Sequence, residues 1–341
     1  MEKDAGYVEV LDYSFLEFSG SRPELLHDLF EKMGFAWKSH GEMKLYNIGN
    51  VHFISNPSHG GSAERFRNKH IRGASAMGFK VADSKQAFEK AVQLGAKPAQ
   101  ETDLDIPAIQ GVGESLIYLV DDAHEQALFQ KFGFTKGVDT HRANAIQAID
   151  HLTHNLHQGG VARMCEFYEK IFGFERIRKF DIDGKKTGLV SEVVESQNGT
   201  VTIPLNESKD EISQIAEFVK EYNGEGIQHI ALLCDDICST VDSLSHNGIP
   251  FQDTPDTYYE MIDERLPGHG EEVDTLRQRR ILIDGGEAQG GGFLLQIFTQ
   301  NSIGPIFFEF IERKGNEGFG EGNFQALFES IELDQERRGV L

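Results

Sequence analysis

Two histidines and one glutamate fall on separate apolar stretches: His151 in AIDHLTHNL, His229 in GIQHIALL and Glu309 in PIFFEFIER. Side chains alternate along a strand, so Glu309 shares a face with Phe307 and Ile311 and turns toward an apolar interior. An ionised carboxylate there is costly unless a cation meets it. Two imidazoles and one carboxylate without a fourth protein ligand form the facial set of non-haem Fe(II) oxygenases, with Fe(II) ahead of Mn(II) or Zn(II) and adjacent coordination positions left open. The three lie roughly 80 residues apart, too far for a zinc finger and suited to ligands gathered from distant strands. Taken singly, each has a plainer reading: a salt bridge to a buried arginine for Glu309, a bond toward the His154 or His157 region for His151, and a hydrogen-bonded core imidazole for His229.

The elements that must position them repeat. VLDYSFLEFSGSRPELLHDLFEKMGF near the start and AIDHLTHNLHQGGVARMCEFYEKIFGF from Ala148 share a strand, a polar turn, an amphipathic helix and a closing Gly-Phe. SAMGFKVADSKQAFEKAVQLGAKP (75–98) parallels QHIALLCDDICSTVDSLSHNGIPF (228–251) as strand, aspartate cap, helix and Gly-ended turn. The segments that follow the helices, such as KLYNIGNVHFISN and TGLVSEVVESQNGTVTIPLN, alternate and read as antiparallel meanders. Four strand-helix-strands modules in two halves predict an α+β fold of two open, curled, mixed sheets. The expected division is 1–143, a half without metal that supports assembly, and 144–341, the catalytic half. Aligning the repeats pairs His151 with Tyr13, His229 with Ala76 and Glu309 with Tyr118, so the three ionisable groups concentrate in the second half.

The chain has 341 residues and a formal charge of −22, which disfavours nucleic acid and anionic membrane surfaces as partners. MEKDAGYVEV lacks the apolar core of a signal peptide, and no run approaches the roughly 20 apolar residues of a spanning helix, so a cytoplasmic location is expected. Cys165, Cys234 and Cys238 are too few and too poorly spaced for a disulfide framework or a zinc site, and read as structural. GGEAQGGGF (285–293) reads as a hairpin turn. GFGEGNFQALFESIELDQERRG reads as a glycine hinge feeding an amphipathic helix, a suitable lid; Glu317 and Glu321, and the absence of a nearby lysine, argue against a phosphate cradle.

The stretches TGLVSEVV, IPLNE, GIQHIAL, LLQIFT and PIFFEFIERKGNEGFGEGNFQALFESIE closely resemble the 4-hydroxyphenylpyruvate dioxygenases of the vicinal oxygen chelate superfamily, and the resemblance extends over nearly the whole chain. It implies Fe(II) on His151, His229 and Glu309, with 4-hydroxyphenylpyruvate and dioxygen as substrates. It implies chelation through the keto acid, without separate 2-oxoglutarate, and oxidative decarboxylation, ring hydroxylation and side-chain migration to homogentisate in tyrosine and phenylalanine catabolism. Ser191, Asn206, Gln214, Gln228 and Gln296 stand at the family's polar pocket positions, and Phe298 and Phe324 at its aromatic clamp, with Phe307, Phe319 and Asn323 nearby. Phe307 reads equally as core packing. The family further implies a homodimer or homotetramer. Two alternatives stand beside this reading: a hydroxymandelate synthase acting on the same substrate, and a non-catalytic small-molecule binder of the same fold.

Overall fold

Strands here begin where apolar residues alternate and end at Asn or Gly turns, and their order in two sheets repeats. The computed structural model describes residues 6–134, 145–183, 188–323, 325–327 and 337. In the first half β1 (Asp12–Gly20), β2 (Ala36–His40), β3 (Met43–Ile48), β4 (Val51–Ser55), β5 (Arg72–Lys80), β6 (Ala108–Gln110) and β7 (Leu116–Val120) form a seven-stranded sheet in the order β2-β3-β4-β1-β5-β7-β6. In the second, β8 (Ile146–Leu156), β9 (Glu175–Asp183), β10 (Gly188–Glu195), β11 (Thr202–Ser208), β12 (Gly226–Cys234), β13 (Leu282–Gly285), β14 (Phe293–Phe298) and β15 (Phe307–Lys314) form an eight-stranded sheet. Its order is β13-β14-β15-β12-β8-β11-β10-β9, the same arrangement with β13 added at one edge. Both sheets are mixed. The meanders are antiparallel as the alternation predicts, while β1–β4, β5–β7, β8–β11 and β12–β15 are parallel pairs.

The helices are α1 (Pro23–Lys32), α2 (Ser62–His70), α3 (Ser84–Gln93), α4 (Asp122–Lys131), α5 (Gly160–Phe172), α6 (Gln214–Glu221) and α7 (Ile237–His246), with short turns of helix between α7 and β13. The aspartate caps foreseen in the repeat are present: Asp83 accepts from the Gln86 amide and Asp236 from the Ser239 amide, each satisfying a helix donor that the backbone leaves open. Three modules have three strands after the helix, whereas the second, β5-α3-β6-β7, has two. The 285–293 stretch is the expected hairpin, Gly285 lying opposite Phe293. Among the described residues no helix is long and apolar enough to cross a membrane.

The ladders correct one pairing drawn from the repeat. Ala231 of β12 stands opposite both His151 and Glu309, and the corresponding Gly78 of β5 stands opposite Phe15 and Tyr118. Phe15, not Tyr13, therefore occupies the place of His151. Each half carries a bulge here, at Ser14 in β1 and at Asp150 in β8, so the bulges cancel between the halves; the offset is two residues, a slip that on a regular strand keeps the same face and so leaves the alternation of residue types unchanged. Tyr13 instead donates its hydroxyl to the Thr202 carbonyl at 2.8 Å, joining the two halves. In the first half the rings of Phe15 and Tyr118, with centroids 5.6 Å apart, fill the volume around Ala76.

Candidate metal centre

β15, β12 and β8 are adjacent, so candidate ligands distant in sequence become cross-strand neighbours. His151 and Glu309 flank Ala231, and His229, one pleat away, flanks Thr153 and Phe307. Glu309 Oε2 lies 3.3 Å from His151 Nε2 and 3.5 Å from His229 Nε2, and one donor atom from each residue falls within 4.8 Å of the others. The cage is buried: His151 and Glu309 are each 2% exposed.

Both histidines are oriented by the residue before them. Neighbours on a regular strand point to opposite faces, but Asp150 and Gln228 both sit at bulges, which turns their side chains toward the ligand rings. His151 Nδ1 donates to Asp150 Oδ1 at 2.7 Å, and His229 Nδ1 donates to Gln228 Oε1 at 2.5 Å. With Nδ1 committed to these acceptors, Nε2 of each ring is the nitrogen turned to the cage and left for a cation. The Thr153 hydroxyl lies 2.9 Å from His229 Nε2. The first half has bulges at the matching positions, with Ser14 and Ser75 in place of Asp150 and Gln228.

The electrostatics call for a cation. Glu309 Oε1 is buried and has no hydrogen-bond partner among the described residues, and the other carboxylate oxygen faces the Nε2 atoms of both histidines. A cation meeting these atoms satisfies all of them at once. Burial opposes charge on His151, yet Asp150 and Glu309 outweigh it and hold its imidazole up at about 9, so a proton on Nε2 holds the place that a metal ion would take. Burial and the neighbouring His151 push His229 well below the ordinary histidine value. Burial would raise Asp150, but Arg313 and His151 hold it well below the usual carboxylate range. The plainer readings of Glu309 and His151 do not describe these side chains, whereas His229 does make the hydrogen bonds of a core imidazole, to Gln228 and Thr153. Arg313 binds Asp150 rather than Glu309, and His154 faces away from the cage, its Nε2 2.9 Å from the Tyr168 hydroxyl on α5.

Around the cage, Ser191, Asn206 and Asn155 are register neighbours across β10, β11 and β8, so they line one face, the face that also carries Thr153 and His151. Asn155 Oδ1 is buried and without a partner among the described residues. Gln296, 3% exposed on β14, has a free Oε1 on the same terms. Phe307 stacks on His229 with centroids 5.0 Å apart and planes at 13°, and Phe298 meets Phe307 edge-on at 5.9 Å. Phe319 approaches His151 edge-on at 5.5 Å. Asn323 Oδ1 accepts from the Tyr258 hydroxyl at 2.6 Å. Gln214 is exposed on the first turn of α6, and no hydrogen bond among the described residues joins it to the cage. Phe324, 328–336 and 338–341 lie outside the described residues, so the lid helix is described only at 321–323, 325–327 and 337.

Its glycines are seated rather than free. Gly320 has φ +72°, and a Cβ there would fall 1.8 Å from Gln296 Oε1. Only glycine lets this backbone lie on the buried amide. Sequence reasoning missed Asp150, Thr153, Asn155 and Arg313; the first two stand within two residues of His151, a proximity that was the available signal.

The likenesses agree with this geometry. The family described as hydroxyphenylpyruvate dioxygenase, HPPD, N-terminal, matches residues 6–130, and the glyoxalase/bleomycin resistance protein/dioxygenase superfamily matches 148–261. A 4-hydroxyphenylpyruvate dioxygenase of Legionella pneumophila (strain Corby) is 50% identical over 335 residues, 96% of each chain. A protein of the same name from Pseudomonas aeruginosa is 47% identical over 341 residues, 96% of this chain and 95% of its own. A solved mutant of 4-hydroxymandelate synthase from Streptomyces coelicolor superposes with a TM-score of 0.80 over 96% of this chain and 99% of its own; at 24% identity it speaks to the fold alone. Near-full-length identity at this level, on a fold that brings His151, His229 and Glu309 together, means that the chain belongs to the 4-hydroxyphenylpyruvate dioxygenase family.

Proposed function

We propose that this protein is an Fe(II)-dependent dioxygenase that converts 4-hydroxyphenylpyruvate and dioxygen to homogentisate and carbon dioxide. The observation that carries the reading is the buried cage of His151, His229 and Glu309, with Glu309 Oε1 buried and without a hydrogen-bond partner among the described residues. Fe(II), when bound there, would supply the one-electron chemistry that activates dioxygen and the adjacent open positions that dioxygen and a keto acid require, while decarboxylation of the keto acid and oxidation of the ring supply the electrons that dioxygen takes up.

The remaining work belongs to the chain. Asp150 and Gln228 hold the two imidazoles in the ligating tautomer, and Arg313 fixes Asp150. Gln228, Gln296, Asn206 and Ser191 are assigned to the keto acid and the phenol, because neutral amides and a hydroxyl aim a ring without ionising it. Gln214 joins this set on the family pattern alone, since its exposed place on α6 adds no support. Phe298, Phe307 and Phe319, with Asn323 and Phe324, are assigned to the apolar wall that excludes water while the ring is hydroxylated and the side chain migrates. The same proposal takes 144–341 as the catalytic unit, 1–143 as its support in a homodimer or homotetramer, and the cytoplasm as its location.

Hydroxymandelate synthase would use the same cage and give an isomeric product, so product chromatography rather than mass decides. Identities of 50% and 47% to dioxygenases, against 24% to the synthase, favour the ring-hydroxylating reading. The test is substrate-dependent oxygen uptake by Fe(II)-loaded protein, abolished by a chelator and restored by Fe(II), with homogentisate recovered. Hydroxymandelate as the main product overturns the assignment in favour of the synthase. Absence of uptake with iron in place favours a non-catalytic binder.

A further inference from the structure

Arg313 makes four hydrogen bonds that join the cage to the segment leading into the C-terminal helix. Its Nε and Nη2 donate to Asp150 Oδ2 and Oδ1 at 2.7 and 2.8 Å, while Nη1 donates to the carbonyls of Asn316 and Gly318 at 2.9 and 2.8 Å. Asp150 in turn accepts from His151. The next residue along the segment, Phe319, returns to the same imidazole, edge-on at 5.5 Å, with the Arg313 guanidinium 5.9 Å from its ring. The contacts close a ring: His151, Asp150, Arg313, the 316–318 backbone, Phe319 and again His151.

The segment also spans the open side of the curled sheet. Arg178 of β9 pairs with Glu321 at 2.7 Å, and the Gly322 amide donates to Asp284 of β13 at 2.7 Å; β9 and β13 are the two outer strands. Residues 318–322 therefore bridge the edges of the half-barrel directly over the cage.

We infer that Arg313 is a positioning residue that couples metal binding at His151 to the seating of residues 316–323, so that filling the cage and closing its mouth favour each other. A cation on Nε2 draws electron density from the ring and strengthens the Nδ1–H bond to Asp150, whose carboxylate is shared with Arg313. The guanidinium cannot shift to follow Asp150 without releasing the Asn316 and Gly318 carbonyls, because one rigid plane holds both sets of partners. Such coupling is reciprocal: a seated segment raises metal affinity as much as metal steadies the segment.

This rests on the metal-centre reading above, and the test separates the two. Full-length protein is titrated with Co2+, followed by its visible absorption, and amide exchange of 316–323 is measured with and without the ion. In the wild type Co2+ slows exchange across 318–323. Arg313→Met weakens Co2+ binding about tenfold to a hundredfold, alters the spectrum and removes the metal-dependent protection, and Arg313→Lys recovers little because it cannot serve both sets of partners. Unchanged affinity and spectrum in Arg313→Met, or wild-type exchange indifferent to bound Co2+, overturns the coupling while leaving the metal centre standing. Failure of the wild type to bind Co2+ at all overturns both. The wild-type exchange measurement needs no variant and decides the matter if Arg313→Met does not fold.

Discussion

Glu309 Oε2 lies 3.3 Å from His151 Nε2, with both side chains almost wholly shielded from solvent. Two groups that repel when both present lone pairs are held together by the β15-β12-β8 ladder, and a shared cation resolves the conflict. Glu309→Ala removes one of three protein ligands. Oxygen uptake with 4-hydroxyphenylpyruvate is expected to fall at least about a hundredfold, with Co2+ binding weakened alongside, since a ligating charge is worth several kcal/mol. Retention of both would mean that the carboxylate is not a ligand.

His154→Ala addresses the opposite face of β8. Its imidazole is fully buried against Tyr168, and burial lowers its pKa to about 3. Truncation leaves a cavity and an unpaired hydroxyl, a loss of about 2–4 kcal/mol in a urea melt, while turnover per folded molecule stays within about threefold.

Acid titration of the wild type carries the mark of the same residue. An unfolded histidine takes up its proton near pH 6.5, whereas native His154 resists until about 3, so the unfolded chain binds more protons between these values. Stability contributed by neutral His154 is therefore complete above pH 6.5 and lost as pH falls through that window. His154→Phe is expected to flatten this part of a stability-against-pH curve measured by denaturant unfolding.

Glu17 on β1 gives the opposite slope. Burial raises its carboxyl to about 7 despite the Ser75 hydroxyl that donates to it at 2.7 Å. Between pH 4.5 and 7 the native state holds the proton that the unfolded chain has released, so stability falls as pH rises through the window. Glu17→Gln removes that penalty and should stabilise the protein by up to ~3 kcal/mol at pH 8, and by little at pH 4. A gain independent of pH would mean that Glu17 does not titrate in this range.

Gly320→Ala places a methyl group against the Gln296 amide and strains a backbone at φ +72°. The seat over Gln296 is displaced at a cost of about 1–2 kcal/mol. Because Gln296 is assigned to the substrate, KM for 4-hydroxyphenylpyruvate should rise about tenfold, read from steady-state oxygen uptake. An unchanged KM would separate Gly320 from the substrate side of the site.

Much of the scaffold was legible because it is written locally. The closing Gly-Phe pairs, the aspartate caps at Asp83 and Asp236, and the 285–293 hairpin each depend on residues a few positions apart. The cage was legible for another reason: Glu309 on an apolar strand demanded a positive partner, and two histidines on comparable strands were the available ones. Bulges were not legible, since one extra residue in a strand leaves no mark in the pattern of residue types, and neither was the pairing of Phe15 with His151, because the two-residue slip that puts Tyr13 there keeps the alternation of a regular strand. Arg313 was not legible either, because its partner is the carboxylate that bulging at Asp150 presents, which two of its donors fit at once.

By itself, then, the amino-acid order determined which residues are chemically able to hold a cation and which half contains them, because donor type and local polarity are properties of single residues and short runs. The tertiary structure alone decided that His151, His229 and Glu309 share one point, that Asp150 and Gln228 orient the rings, and that Gly320 lies on Gln296. Those relations depend on ladder register and on chain crossing between distant strands, where a slip of one residue reverses every side chain, and no local pattern carries that information.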